Sequence, residues 1–108
     1  MTHRPSDSGR QPTHPGAVVR IELGELGFSV TRAAEHLRVS RRTLSELVNE
    51  RRGVSPEMAL KLGRFFGNGP DLWLNMQASH DLWRVHQDPV ALREADSVVP
   101  AVSSWEPR

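Results

Sequence analysis

Residues 30–49 read VTRAAEHLRVSRRTLSELVN, and the apolar spacing in this stretch predicts two short helices joined by a tight turn. Ser29 and Ser40 each stand directly before one of these helices, where serine is a favoured N-cap. We expect the first helix to end near Leu37 and the second to span 41–49. Residues 38–40 are left for the turn between them.

The side on which the two predicted helices meet is small and apolar. Ala34 lies at the expected crossing point, where a larger side chain would push the helices apart. Leu37, Val39, Leu44 and Leu47 are spaced so that they can lock the pair from inside. Two short helices packed in this way across a three-residue turn form a helix-turn-helix unit, which is a DNA-binding motif.

The turn begins with Arg38, at a position where glycine is usual because the backbone there is left-handed. We therefore predict a positive φ at Arg38. An arginine held in that conformation should cost roughly 1 kcal/mol relative to glycine.

The outer side of the second helix carries groups that can read base edges. Guanidinium groups pair with guanine and asparagine amides with adenine in the major groove, which indicates Arg41, Arg42 and Asn49. Short hydroxyl side chains can bond phosphates, and arginines that follow the helix can clamp the next phosphates. The predicted DNA-binding residues are Arg32, Ser40, Arg41, Arg42, Thr43, Ser45, Asn49, Arg51 and Arg52. A plainer interpretation stays open, in which the arginines only solvate an exposed helix face.

Glu46 is the acidic residue on this face. It could accept from a cytosine amino group, repel a phosphate, or pair with Arg42 four residues earlier. We favour the internal pair with Arg42.

Charge is concentrated around the same stretch. The 108-residue chain has a formal net charge of only +1, but residues 32–64 hold eight Arg and Lys against four Glu. A local basic patch matters more for binding a polyanion than the total charge. The charge pattern therefore places the expected duplex against this segment.

Composition excludes several other classes of function. The chain has no cysteine, and its five histidines are scattered at 3, 14, 36, 80 and 86, so we expect no metal site. It has no phosphate-binding glycine loop and no serine elbow, and we expect neither catalysis nor a cofactor. No apolar run approaches the roughly 20 residues of a membrane helix. We expect a soluble, cytoplasmic protein that is not an enzyme and has no membrane partner.

The rest of the chain completes an all-α domain of five helices over 15–87. We expect helix one over 15–27, helix four from Pro56 to Gly67, and helix five from Pro70 to about His86. Residues 1–14 are polar and are predicted to be a mobile arm. Residues 88–108 are predicted to be a tail, with one or two possible helical turns over 89–95.

Helix five has more apolar residues than one buried face requires. Part of its surface is therefore predicted to contact a partner. The tryptophans in it could instead belong to the core, which is the more frequent location at helical spacing. The residues predicted for this contact are Leu72, Trp73, Met76, Leu82 and Trp83.

Three segments together resemble the HigA family of antitoxins, within the Xre-type, phage-repressor-like helix-turn-helix class. They are HPGAVVRIEL, then SVTRAAEHLRVSRRTLSELVNERRGVSPEMALKLGRFFG, then PDLWLNMQASHDLW, and together they cover roughly residues 14–86. The blocks 39–53 and 72–77 (LWLNMQ) are the most specific parts. The resemblance implies a lambda-repressor-like fold whose reading helix corresponds to 40–49. The glutamine often found at the start of the family's second helix is Val30 here, and Arg32 could replace its phosphate contact.

The same resemblance implies partners. It implies a homodimer, and we expect the five predicted contact residues of helix five to form the dimer interface. The dimer is implied to bind double-stranded DNA at a palindromic operator in its own promoter. The resemblance also implies tight association with a HigB toxin, a RelE-like, ribosome-dependent mRNA endonuclease. Two alternatives stay open: an orphan Xre regulator without a toxin, and a protein-interaction module without DNA binding.

Overall fold

The computed structural model describes residues 11–102, and this part of the chain consists of six helices without a strand. The helices are α1 Pro15–Leu26, α2 Val30–Leu37, α3 Arg41–Val48, α4 Pro56–Phe66, α5 Pro70–His86 and α6 Pro89–Asp96. The all-α class predicted from the sequence is confirmed. The predictions for residues 1–10 and 103–108 lie outside the described residues.

The helices begin where the sequence carries start signals. The N-cap side chain accepts a hydrogen bond from a backbone N–H of the first turn in five of the six helices, and proline occupies the first turn of four. The first N–H groups of a helix have no backbone partner within the helix, so a capping side chain supplies one. Proline in the first turn has no N–H that needs a partner. The capping residues are His14, Ser29, Ser40, Ser55 and Asp88.

Helices α1 to α5 enclose one apolar core, and α2 and α3 pack against each other within it. Ala34 at the crossing is buried, and its small side chain allows the two backbones to approach each other. The core side chains are Val19, Leu23, Ala33, Ala34, Leu37, Leu44, Leu47, Val48, Val54, Met58, Ala59, Leu62 and Trp73. The helix-turn-helix unit is thus built into the core and held rigidly by it.

The start of α1 lies directly against the end of α3. A Cβ placed on Gly16 would overlap the backbone carbonyl of Leu47, so only glycine fits there. His14 caps α1: its Nδ1 accepts the Gly16 N–H at 2.9 Å, and the residue is 8% exposed. The folded domain therefore includes His14, which the sequence analysis had assigned to the mobile arm because it did not recognise a histidine cap.

His14 also meets His80 of α5, with the ring centroids 4.8 Å apart in an edge-on arrangement. Burial lowers the pKa of His14, and the nearby His80 and Arg84 lower it too, against the opposing effect of Glu50 and Asp81. The neutral ring is the form that can accept the Gly16 N–H. Folding and proton binding at His14 therefore oppose each other.

We expect the free energy of unfolding to fall as the pH drops from 7.5 to 5. The pKa of His14 is 6.5 when unperturbed and lower in the folded chain, so the folded state takes up its proton later than the unfolded one. The stability is fully present above about pH 6.5 and is lost as the pH falls through the lowered folded pKa. Urea unfolding at several pH values measures this. His14→Asn, which can still cap α1, should flatten the decline, whereas His86→Asn at an exposed site should not; an unchanged decline in His14→Asn would contradict the assignment.

Helix α6 corrects the predicted tail. The sequence indicated five helices and at most two helical turns over 89–95, whereas Pro89–Asp96 is a regular eight-residue helix. Asp88 accepts the Val90 N–H at 3.0 Å, and Pro89 stands in the first turn, so both start signals are present. The sequence analysis allowed one or two turns from Pro89 but assigned the segment to the tail. No residue of α6 is buried.

Trp73 corrects the predicted dimer surface. Its side chain is 0% exposed, it packs against Phe66 with ring centroids 5.5 Å apart, and its Nε1 donates to Asn68 Oδ1 at 2.9 Å. It fills the core of its own chain and offers no surface to a second copy. Apolar content alone did not distinguish the core side of α5 from its outer side.

Arg38 has φ 59° and ψ 46°, as predicted for the first residue of the turn. We expect Arg38→Gly to raise the free energy of unfolding by about 1 kcal/mol, because glycine adopts this backbone without strain. The Arg38 carbonyl, which accepts from Lys61 Nζ at 3.1 Å, is retained in the variant. Urea unfolding measures the change.

Glu50, the other non-glycine residue with a positive φ among residues 11–102, provides a comparison at φ 61°. Glu50→Gly should stabilise the chain by the same mechanism. A control at a normal helical position, Arg20→Gly in α1, should instead destabilise it by roughly 1 kcal/mol. A loss of stability in Arg38→Gly would contradict the strain at this turn.

Candidate DNA-binding surface

Helix α3 presents one polar side and buries the other. Arg41, Ser45 and Asn49 follow one another at intervals of four residues and form a single line along the helix. Arg41 and Asn49 are exposed and Ser45 is half-buried, whereas Leu44 and Leu47 on the other side are in the core. The line is therefore accessible and is fixed by the packing behind it.

Arg41 is oriented by the neighbouring helix. Its Nε donates to Thr31 Oγ1 at 2.9 Å, and Thr31 stands in the first turn of α2. This bond uses the inner nitrogen of the guanidinium group, whereas bidentate pairing with a base or phosphate requires only two of its five donors. Thr31 was not predicted as a site residue, because the bond joins residues ten apart in different helices.

Arg42 and Arg52 share one carboxylate. Arg42 Nε lies 3.2 Å from Glu46 Oε2, and Arg52 Nη2 lies 2.8 Å from Glu46 Oε1. The hydrogen bonds from Arg52 and then Arg42 lower the pKa of Glu46. The internal pair favoured from the sequence is present, and Arg52 joins it. Glu46 thus holds two cations in place on the outer face, although a phosphate approaching Arg52 must compete with this carboxylate.

The smaller polar residues make hydrogen bonds at the two ends of α3. Ser40 Oγ accepts the Thr43 N–H at 3.0 Å and donates to Thr43 Oγ1 at 2.8 Å. Asn49 Nδ2 donates to the Ser45 carbonyl at 2.8 Å. In this state Ser40 and Asn49 stabilise the two ends of α3. A base contact by the Asn49 amide requires its side chain to turn away from Ser45.

Two further predicted arginines flank α3. Arg32 lies over the Phe28 ring, with its guanidinium carbon 4.7 Å from the ring centroid, a cation–π contact that restricts its position. Arg51 is exposed in the segment after α3, and its backbone N–H donates to the Glu46 carbonyl at 2.8 Å. The structure therefore brings the nine predicted DNA-binding residues to α3, the start of α2 and the following loop.

A second exposed surface is apolar and lies on α5. Leu72, Met76 and Trp83 are spaced by four and seven residues, which places them on one side of the helix, and Leu82 lies at the edge of that side. Leu72 and Leu82 are 45% and 59% exposed, and Met76 and Trp83 are half-buried. We call these four residues the α5 stripe. These four are the predicted dimer-interface residues other than Trp73, which lies in the core.

Comparisons with known proteins agree with this geometry. The helix-turn-helix family matches residues 18–73. Antitoxin HigA-1 of Vibrio cholerae is 37% identical over 75 residues, which are 68% of this chain and 70% of that protein. The chain belongs to the HigA-type antitoxins of the Xre helix-turn-helix family.

Two further members of the family differ in what is known of them. A solved structure described as the Pseudomonas aeruginosa antitoxin HigA with higBA promoter has a TM-score of 0.76 and 32% identity, and the match covers 85% of this chain and 100% of that one. The uncharacterised HTH-type transcriptional regulator YbaQ of Escherichia coli K12 is 40% identical over 80 residues, which are 73% of this chain and 71% of that protein. This family comprises DNA-binding regulators and antitoxins, which are not an enzyme class.

None of the helices between residues 11 and 102 combines the length and the hydropathy that a membrane span needs. Within the same range, no group of three or more His, Asp or Glu side chains is arranged to hold a metal ion.

Proposed function

We propose that the protein is an antitoxin and autorepressor. As a homodimer it binds a palindromic operator in its own promoter, and it neutralises a HigB-like toxin, a RelE-type mRNA endonuclease, by direct binding. The observation that carries the DNA-binding part is the accessible line of Arg41, Ser45 and Asn49 along a helix that the core holds rigid. Both the operator and the toxin would be met in the cytoplasm.

The reading of DNA is assigned to α3 and its surroundings. Arg41, Arg42 and Asn49 contact base edges, and Arg32, Arg51 and Arg52 contact phosphates. Ser40, Thr43 and Ser45 supply hydroxyl groups at the same face. In support, a HigA relative with the same fold is described with its higBA promoter.

Dimerisation is assigned to the α5 stripe. Exposed apolar side chains at 45% and 59% on one helix are favourable to bury, and a second copy supplies an identical surface. The dimer must place its two reading helices about 34 Å apart, one turn of DNA. Each half-site of the palindrome then meets the same residues.

An alternative function is that of an orphan Xre regulator that represses without a toxin partner. Its support is the 40% identity to YbaQ, which is described as a regulator and not as an antitoxin. The gene context separates the two functions, because an antitoxin should be encoded beside a small, basic, RelE-like protein.

Coexpression with the product of the neighbouring gene tests the antitoxin function. The wild-type protein should restore growth that this product inhibits and should be recovered bound to it. Arg41→Ala should also restore growth, because its effect is expected to fall on DNA binding alone. Operator binding by the wild-type chain without growth rescue would leave the orphan regulator as its function.

A further inference from the structure

We propose that Gln77 of α5 positions the segment that carries Arg51 and Arg52 against the duplex. This segment, residues 49–55, is called the arginine loop. The inference rests on the proposed operator binding, and it adds a positioning residue that lies outside the helix-turn-helix. It makes the conformation of the loop depend on α5.

Backbone hydrogen bonds to α3 hold the start of the arginine loop, and a long-range hydrogen bond to α5 holds its end. It has no regular secondary structure, and Arg51, Arg52 and Gly53 are exposed. At its start the Arg51 N–H donates to the Glu46 carbonyl at 2.8 Å. Near its end the buried Val54 donates its N–H to Gln77 Oε1 at 2.7 Å, across 23 residues of sequence. The Gln77 amide is therefore the side-chain partner that connects the loop to α5.

The orientation of the Gln77 amide is determined by its two partners. Its Nε2 donates to Asp81 Oδ1 at 2.9 Å, while its Oε1 accepts from Val54. A carboxylate can only accept and a backbone N–H can only donate, so the opposite orientation would lose both bonds. The half-buried amide is thus fixed by hydrogen bonding as well as by packing.

Gly53 is where the amide lies against the loop backbone. A Cβ at Gly53 would come within 2.9 Å of the Gln77 side-chain carbon and oxygen. The glycine therefore permits the close approach that the Val54 bond needs. Together Gly53, Val54 and Gln77 form a latch that sets the path of the preceding two residues, Arg51 and Arg52.

The latch matters for DNA binding because the arginine loop carries two positive charges, those of Arg51 and Arg52. Phosphate contacts position a protein on the duplex and require cations at defined places. Arg52 is also held by Glu46, whereas Arg51 is held only through the backbone among the contacts described for residues 11–102. We therefore expect loss of the latch to act mainly through Arg51.

Gln77→Met tests the latch, because methionine keeps the volume and removes both hydrogen bonds. We expect operator affinity to fall about tenfold and the dependence of log K on log salt to become shallower by about 1 per chain, as for one lost phosphate contact. The Val54 amide should exchange with solvent faster. The control is Val90→Met, which places the same side chain at an exposed position of α6, outside the α5 stripe, and should bind as the wild type does.

A double-mutant cycle separates positioning from general weakening. If Gln77 acts through the arginine loop, Arg51→Ala combined with Gln77→Met should lose less affinity than the two single losses together. Additive losses would overturn the inference, as would wild-type affinity and salt dependence in Gln77→Met. Failure of the wild-type chain to bind any duplex from its own promoter would instead contradict the proposed function.

Discussion

Replacing Trp73 with alanine is expected to cost about 3–5 kcal/mol of the free energy of unfolding. The indole is fully buried, packs on Phe66 and donates its N–H to Asn68, so alanine leaves both a cavity and an unpaired carbonyl. A small domain has a total stability of about 5–15 kcal/mol, and the loss is a large part of it. Urea unfolding measures it, and Trp73→Phe provides a milder change if the alanine variant does not fold.

Trp83 is the control for this prediction. It is half-buried on the α5 stripe and packs beside His80, with ring centroids 6.3 Å apart. Trp83→Ala should destabilise the chain less than Trp73→Ala and should weaken dimerisation more, as measured by sedimentation over a range of concentrations. If Trp73→Ala kept its stability but dissociated the dimer, the assignment of Trp73 to the core would be wrong.

Arg41→Ala is expected to weaken operator binding by about 1–3 kcal/mol per half-site, with folding unchanged. A dimer on a palindrome meets the substitution twice, so the total loss is up to about twice that value. Titration of a labelled operator duplex measures it, beside a scrambled duplex of the same length. If Arg41 reads a base, its removal lowers the affinity for the operator more than the affinity for the scrambled duplex.

Two variants sharpen this measurement. Thr31→Val removes the 2.9 Å bond to Arg41 Nε but keeps the arginine. It should lower the affinity for the operator less than Arg41→Ala does. Like Arg41→Ala, it should affect the operator more than the scrambled duplex. Arg20→Ala, at an exposed arginine on α1, should bind as the wild type does. Equal losses of Arg41→Ala on both duplexes would reassign Arg41 to phosphate contact.

The positions of α1 to α5 could be predicted because their signals are local. Ser29, Ser40 and Ser55 cap helices within three residues of themselves, and Pro15 and Pro56 stand in first turns. The positive φ of Arg38 is confirmed for the same reason, since a turn of fixed length requires it. Helix α6 was predicted only as one or two possible turns, because Pro89 is compatible with both a break and a start.

The parts of the site that could not be predicted depend on contacts between distant residues. Thr31 and Gln77 act through partners 10 and 23 residues away, and no spacing in the sequence marks such bonds. Trp73 and Trp83 lie in one helix with similar neighbours, and only the packing of α4 against α5 separates a core residue from a surface one. The exposed arginines on α3 were predictable because amphipathic spacing places them opposite Leu44 and Leu47.

NMR titration of the isotope-labelled protein with its promoter duplex, followed at every backbone amide, shows directly whether α3 and the start of α2 contact the DNA. We expect the largest chemical-shift changes on the amides of residues 29–32 and 40–54, and almost none on those of α6. Changes concentrated on α5 and α6, with the amides of Arg41, Ser45 and Asn49 unaffected by a bound duplex, would contradict this expectation.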